Sequence, residues 1–333
     1  MFIKFPSIDN FYQEKIISYW LTKFPELKDE CFVITEKIHG TNFQLIVTPT
    51  DVKFASRNNL VDPNNFFSAG SLIVPKLQTF IERLHELFNS YNLKAQQELK
   101  VINVFGEFFG PGIQRGVYYG DYGYRVFAVY MVIENHNYSK SSPKRVERRW
   151  LSYGEVGNLI SYYLGLNPDE LQVPYIAMVD GLEAALNFDC RFNSKLVDVE
   201  GENICEGIVI TPMYTEYVDE HGSRFAIKKK NKEFMEKSKA PTLDVSANLN
   251  EIKELNTLFL TYITDMRLQG IFSKEGMIQD KTEIGRYIRL LISDAINDFI
   301  KDNENLISGI TAKNLNKVYN IGGCGYELIK KYL

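Results

Sequence analysis

The apolar positions change their period along the chain, and the period marks the elements. Within residues 1–30 the stretch FYQEKIISYWLTKF is amphipathic and predicts a covering helix. Apolar runs at Cys31 to Thr35, Phe43 to Val47 and Val52 to Ser56, punctuated by Pro49, Asn58 and Asn59, predict a β-meander. Leu77, Phe80, Ile81, Leu84, Leu87, Phe88 and Tyr91 then recur at helical steps, and His85 between them reads as structural. Strand-like runs return at Val101 to Phe109 and Tyr124 to Ile133. The polar segment from Asn135 to Arg149 predicts an exposed connection, and His136 and His221 sit in polar loops with no assigned role. Helical segments are expected at Tyr153 to Gly165 and Gly181 to Leu186, separated by Pro168 and Pro174, and strands at Glu206 to Thr211 and Arg224 to Lys228.

Past the basic, proline-containing stretch KEFMEKSKAPT the period shifts from about two to about 3.6. Leu249, Ile252, Leu255, Phe259, Tyr262, Ile263 and Met266 form one apolar face, and Ile284, Tyr287, Ile288, Leu291, Ala295 and Phe299 another. The expected organisation is α+β: a domain of antiparallel sheets with helices over residues 1–236, a linker over 237–246, and a small all-α domain over 247–333.

Composition narrows the classes. A chain of 333 residues with 45% apolar content can bury substantial cores. Its 38 basic and 42 acidic residues leave a net charge of −4, so a nucleic-acid surface has to be a local basic patch. Cys31, Cys190, Cys205 and Cys324 are far apart, without zinc-ligand spacing, which argues for a reducing compartment. No signal-peptide pattern or membrane-length apolar run is present, and the expected location is the cytoplasm.

The candidate chemistry centres on EKIHGTN, Glu36 to Asn42, between two strand-like runs. There a lysine three residues before a glycine places an amine on a turn that a phosphate could approach closely. A Lys-x-x-Gly tetrapeptide arises about once by chance in a chain of this length, so its weight comes from the blocks downstream. A lysine amine with a pKa near ~10.4 must be deprotonated to attack phosphorus, and neighbouring cations favour that. The run Lys228 to Lys230 supplies them: on a strand, Lys228 and Lys230 share one face and Lys229 points away. Alone, such a run reads as a solvated strand end. Glu107, in the apolar VINVFGEFFG, and Glu206, opening EGIVI, are carboxylates that burial would oblige to find partners. A divalent cation held by carboxylate and phosphate oxygens would suit such a site. The glycines of GPGIQRGVYYGD miss the dinucleotide spacing, so it reads as a loop, and no P-loop sequence occurs.

EKIHGTN, FGEFFGPG, YRVFAVYMV, EGIVIT and FAIKKKNKEF, in this order, resemble the nucleotidyltransferase motifs of the covalent ligase and capping-enzyme superfamily. Their wording is most similar to the RNA ligase 2 family of phages and to the RNA-editing ligases. The resemblance implies an ATP-grasp-like nucleotidyltransferase domain and an ATP-dependent RNA ligase using Mg2+ or Mn2+. Lys37 would be the nucleophile that carries AMP, Lys228 and Lys230 would contact the α-phosphate, and Glu206 would assist the lysine and the metal. Glu107 would hold the ribose, Phe127 would stack on adenine, and Arg57 would lie near ribose and phosphates. His39 and Asn42 match positions linked to activity in handling the RNA phosphate; His39 joins the catalytic set, though alone it reads equally as a turn-stabilising residue, and Glu36 and Asn42 join the cofactor-binding set. The expected partner is RNA, as a nicked duplex, bound by a monomer without membrane association.

Two positions depart from the family pattern. Ala128 stands where an acidic residue often follows the stacking aromatic, and Thr211 where a lysine is frequent, which implies altered contacts to nucleic acid or metal. DNA ligases and capping enzymes usually continue into an oligonucleotide-binding barrel, so the helical pattern after Ala247 favours RNA ligase over them. The alternatives are a DNA ligase or guanylyltransferase and, from another class, a non-catalytic RNA-binding protein, against which the presence of Lys37, Lys228 and Lys230 argues.

Overall fold

The computed structural model describes residues 2–94, 97–135, 146–235, 251–307 and 310–333. The predicted linker 237–246, together with Leu249 and His136, lies outside the described residues. The chain divides into two compact units, Met1–Asn231 and Lys232–Leu333.

Among the described residues the first unit has eleven strands: β1 (Asp9–Asn10), β2 (Cys31–Lys37), β3 (Thr41–Val47), β4 (Val52–Ala55), β5 (Leu60–Val61), β6 (Gln97–Phe109), β7 (Gly123–Asn135), β8 (Val146–Trp150), β9 (Tyr175–Asp180), β10 (Gly207–Pro212) and β11 (Ile227–Lys230). One sheet has the order β1-β11-β10-β2-β9 and the other β5-β4-β3-β6-β7-β8. Every pairing is antiparallel except the parallel β1 with β11. Strand alternation gives each sheet one apolar face, which helices cover. Ile34, Ile208 and Ile210 of the first sheet pack with Trp20 of helix Glu14–Lys23 and Leu182 of helix Leu182–Asn187. Phe43, Leu45, Val104 and Phe108 of the second pack with Leu84 and Phe88 of helix Gln78–Lys94.

The structure corrects four sequence expectations in this unit. The last strand runs Ile227–Lys230 rather than Arg224 to Lys228, so the lysine run lies inside the ladder. Arg224 lies outside it, its guanidinium paired with half-buried Glu216 and 4.8 Å over the Trp150 ring. Strand β9, with half its positions exposed at a sheet edge, has too little apolar alternation to announce itself. Val146–Trp150, within and just past the polar segment, adds to β7 as an edge strand, where exposed Arg148 and Arg149 are tolerated. The helix from Tyr153 turns to π geometry at Leu159–Tyr163, where the Leu164 N–H reaches the Leu159 carbonyl.

The second unit is helical: Glu251–Leu260, Asp265–Glu275, Ile284–Ile307, Ala312–Val318 and Cys324–Ile329. The first predicted apolar face is divided between two helices, because Thr264 caps the second by accepting from the Arg267 N–H at 3.2 Å. Phe259, Tyr262, Leu268, Phe272, Tyr287, Leu291 and Phe299 form its core. Arg267 is buried in it, donating to the Tyr262 carbonyl at 2.8 Å and pairing with Asp294 and Asp298.

Candidate active site

The turn after β2 carries the chain from the first sheet to the second, and Lys37 is the last residue before it crosses. By alternation Lys37 shares a face with Thr35 and, through register, with Gly207, Val209, Lys228 and Lys230; this is the face opposite Ile34 and Ile208. Gly207 is obligatory at the centre of that row. It has φ +152°, and a β-carbon there would strike the Lys229 carbonyl. Gly40 is needed for a similar reason, since a β-carbon would run into the Phe108 carbonyl oxygen.

Glu206 is the hub. Its Oε2 accepts from Lys37 Nζ at 2.9 Å and lies 3.2 Å from His39 Nδ1, while its Oε1 is 2.8 Å from Lys230 Nζ. Burial of Glu206 opposes ionisation, but Lys230, Lys37 and His39 outweigh it and hold the carboxyl well below the usual range. Asn231 fixes the adjoining backbone: its N–H donates to the Glu206 carbonyl at 2.9 Å, and its side-chain amide donates to the carbonyls of Cys190 at 3.0 Å and Cys205 at 2.9 Å.

Lys229 points to the other face, where its Nζ donates to the carbonyls of Leu186 at 3.0 Å and Phe188 at 2.8 Å. Three consecutive lysines therefore divide between site and scaffold according to the strand period. Lys228 lies opposite Val209 in register on the Lys230 side.

From the second sheet comes Glu107, in register with Asn42 on β3. Its Oε1 accepts the Gly40 N–H at 3.2 Å. Burial pushes its carboxyl up to about 7, with Glu206 raising it further and Lys37, the Gly40 N–H and Arg57 opposing. Asn42 keeps a buried Oδ1 with no hydrogen-bond partner. Arg57 bonds Ser7 Oγ at 3.0 Å, tying the N-terminal segment to this edge of the site. Phe127 is the extra residue of a β-bulge, because Phe105 pairs with Ala128 while Gly106 pairs with Val126. The bulge sets its ring edge-on to Phe5, with centroids 5.0 Å apart, and against Ile38 and Val173.

The structure thus brings Lys37, His39, Glu206 and Lys230 into one bonded cluster, with Glu107 and Arg57 beside it. Glu36 is not part of that cluster: it faces away from Lys37 and accepts from Ser194 Oγ and the Lys195 N–H, both at 2.7 Å. Burial raises its carboxyl, with those two donors opposing. Of the departures, Ala128 packs among Phe5, Phe105 and Trp150, and Thr211 lies opposite Val33 on β10.

Sequence reasoning missed the residues that hold the turn. The Tyr119 hydroxyl, buried in the loop after β6, accepts the His39 N–H at 2.7 Å. Neighbouring Tyr118 exchanges two backbone bonds with the Asn203 side chain, at 2.9 and 2.8 Å. Asn203 in turn bonds Asn193 and, through its carbonyl, the Ser194 N–H. A closed ring therefore runs from Glu36 through Ser194, Asn203, Tyr118 and Tyr119 back to His39. The signal in the sequence was a set of polar residues in loops, indistinguishable there from solvated turns.

The site is thus an amine presented at a crossing between two antiparallel sheets, held by one buried glutamate and flanked by further lysines. The chain belongs to the RNA ligase family. The RNA ligase family model matches residues 30–230, which contain every residue of the site except the N-terminal contacts and Asn231, and the T4 RNA ligase 2 C-terminal model matches 246–320. The mitochondrial RNA-editing ligase 2 of Trypanosoma brucei brucei is 29% identical over 112 residues, 33% of this chain and 26% of that protein. Among solved structures, a Naegleria gruberi RNA ligase mutant without ligand superposes with TM-score 0.44 at 14% identity, covering 70% of this chain and 56% of the other. A second mutant of that ligase, with ATP and Mn, gives 0.44 at 16% identity, covering 70% and 57%. The chain thus spans about a quarter of the editing ligase and a little over half of the solved structures.

Proposed function

We propose that this protein is an ATP-dependent RNA ligase that seals 3′-hydroxyl/5′-phosphate breaks, nicks in duplex RNA foremost. The observation that carries the reading is the shared carboxylate of Glu206, which holds Lys37 and Lys230 together on one face.

In the first step the deprotonated Lys37 amine attacks the α-phosphorus of ATP. A P–N bond forms, the bond to the β-phosphate oxygen breaks, and pyrophosphate leaves. Lys230, with Lys228 on the same face, neutralises charge that gathers on the α-phosphate oxygens. Phe127 offers its ring to adenine, Arg57 meets the ribose and phosphates, and Glu107, titrating about 7, accepts a ribose hydroxyl bond. AMP then passes from Lys37 to the RNA 5′-phosphate, and the 3′-hydroxyl displaces AMP to form the phosphodiester. His39 and Asn42 would handle the RNA phosphate, a role carried by the resemblance and supported by the buried Asn42 Oδ1 that has no protein partner.

Among the described residues no group of three His, Cys, Asp or Glu side chains could hold a metal. Glu206 already has cations on both oxygens. The donor set therefore fits Mg2+ or Mn2+ only as an ion carried largely by ATP phosphates, with Glu206 as the single candidate carboxylate. Such an ion supplies charge neutralisation at the phosphates. The helical unit engages the nucleic acid, and the protein acts as a monomer.

The test is incubation with α-labelled ATP and Mg2+, then a denaturing gel, with Lys37→Ala and α-labelled GTP alongside. Label that survives denaturation, requires the metal and is lost in the variant is expected. Sealing of a nicked RNA duplex by the labelled protein completes the test. No label from ATP or GTP on protein free of bound AMP would overturn the reading.

A further inference from the structure

A cavity with a volume of about 290 Å³ is lined by Arg125, Tyr153, Asp169, Gln172, Tyr175 and Lys195 among others. Neither Lys37, Glu206 nor Phe127 lines it. Its side chains come from β7 (Arg125), the start of the helix at Tyr153, the short helix Pro168–Leu171 and the residue after it (Asp169, Gln172), the start of β9 (Tyr175) and the loop that contains Ser194 (Lys195).

Arg125 is the unusual member. One terminal nitrogen serves the carbonyls of Tyr124 and Glu170, while its Nε is buried without a hydrogen-bond partner. Desolvating a guanidinium donor without a partner is unfavourable, and an anion relieves it. Lys195 adds a second, exposed cation, so two positive groups face one carboxylate, Asp169. The other nearby acids are Glu170 and Glu36, and Glu36 is already bonded to Ser194 and the Lys195 N–H. Tyr153, pushed up to about 12 by burial and then by Asp169 and Tyr175, stays a neutral donor. Tyr175 leaves 53% of its surface exposed on the edge strand.

Together these are the requirements of one nucleotide: a planar fork and an ammonium for a phosphate, an exposed ring for a base, and a volume at the lower end of small-ligand sites. We propose that this cavity is an RNA subsite, holding a single nucleotide of the strand with its phosphate on Arg125 and Lys195 and its base on Tyr175. The proposal rests on the RNA ligase reading. It gives that reading a guanidinium and an ammonium at one cavity, beside the acids Asp169, Glu170 and Glu36. It also joins RNA engagement to the nucleophile strand, because the Lys195 N–H that borders the cavity bonds Glu36, the residue before Lys37.

The experiment uses the full chain and a nicked RNA duplex with a dideoxy terminus at the nick, which binds but cannot be sealed. Anisotropy across a salt series is measured for wild type, Lys195→Ala, Lys195→Glu and Tyr175→Ala, with label uptake from ATP as a parallel readout. Lys195→Ala is expected to lower the salt slope by about one, Lys195→Glu to weaken binding further, and Tyr175→Ala to weaken it by about tenfold. All three keep wild-type label uptake and ATP KM. Unchanged RNA affinity and slope in every variant overturns the subsite. A raised ATP KM with RNA affinity intact also overturns it, assigning the cavity to ATP. If wild type takes no label, the ligase reading fails separately, while the binding arm still reports on the cavity.

Discussion

Lys37 and Lys230 grip opposite oxygens of the same carboxylate, at 2.9 Å on Oε2 and 2.8 Å on Oε1 of Glu206. They belong to strands that never pair with each other; β10 lies between them, and Gly207 on it faces both. The position of the Lys37 amine is therefore fixed by the carboxylate of the residue just before the intervening strand, and the fold brings a second cation to the same carboxylate. Glu206→Gln would keep the shape and remove the charge that organises both ammoniums. The label-uptake rate at saturating ATP is expected to fall by roughly a hundredfold or more, with Lys230→Ala comparable.

The lysine run gives an internal control. Lys229 caps two carbonyls on the scaffold face, so Lys229→Ala should lower stability by about 1–2 kcal/mol and leave label uptake per folded molecule near wild type. Lys228→Ala should do the reverse, losing activity at little change in denaturation midpoint, whereas Lys230→Ala should lose activity and also some stability, because it leaves buried Glu206 short of a counter-charge. If all three lysines behaved alike, the strand-face assignment would be wrong.

How much of this was legible beforehand follows from which physical signals are local. The five motif blocks, the two-face split of the lysine run and the helical tail could be read because period and composition are properties of short windows. Strand β9 could not, since an exposed edge strand lacks the apolar alternation that betrays a buried one. The strand at Val146–Trp150 was hidden by its arginines for the same reason. At the site, Lys37, Glu206 and Lys230 stood out by residue type in apolar surroundings. Tyr119, Ser194, Asn203 and Asn231 did not, because their meaning lies in hydrogen bonds such as Tyr119 to His39, 80 residues apart.

Glu107 makes stability fall as pH rises. Its carboxyl is raised from about 4.5 to about 7 in the folded protein, so between those values the folded state binds more protons than the unfolded one. The contribution is complete below the unfolded pKa and is lost as pH climbs through about 7, an effect on the order of 3 kcal/mol. Glu107→Gln removes this slope. Urea denaturation at about pH 5 and about pH 8 should show wild type losing stability relative to the variant at the higher pH; parallel curves would show that Glu107 titrates normally.

The ring through Tyr119 and Asn203 touches no reacting atom, so it acts by positioning the turn that presents Lys37 and His39. Tyr119→Phe removes the acceptor of the His39 N–H, and Asn203→Ala opens the clip on Tyr118. Each should reduce the label-uptake rate at saturating ATP by about tenfold while ATP KM stays within about twofold. Because both break the same ring, the double variant should lose much less than the product of the two. Multiplying effects that track the loss of folded protein would instead mark these residues as scaffold alone.

Arg267 is the corresponding test for the helical unit. Its guanidinium is 2% exposed and bonds the Tyr262 carbonyl, Asp294 and Asp298, joining the turn before helix Asp265–Glu275 to helix Ile284–Ile307. Arg267→Ala leaves two carboxylates facing one another and a carbonyl without its donor, with an expected cost of about 3–5 kcal/mol. Arg267→Met, which fills the space without restoring the charge, should recover only part of the loss, since Asp294 keeps Lys274 at 2.7 Å but Asp298 loses its guanidinium partner and the Tyr262 carbonyl its donor. The two units have separate cores, so the loss should fall on the helical unit. Calorimetry is expected to show one transition lowered and another retained, with label uptake from ATP preserved and sealing of nicked RNA impaired. A single transition lowered as a whole, with label uptake lost alongside, would mean that the units fold as one and that the helical part does more than engage nucleic acid.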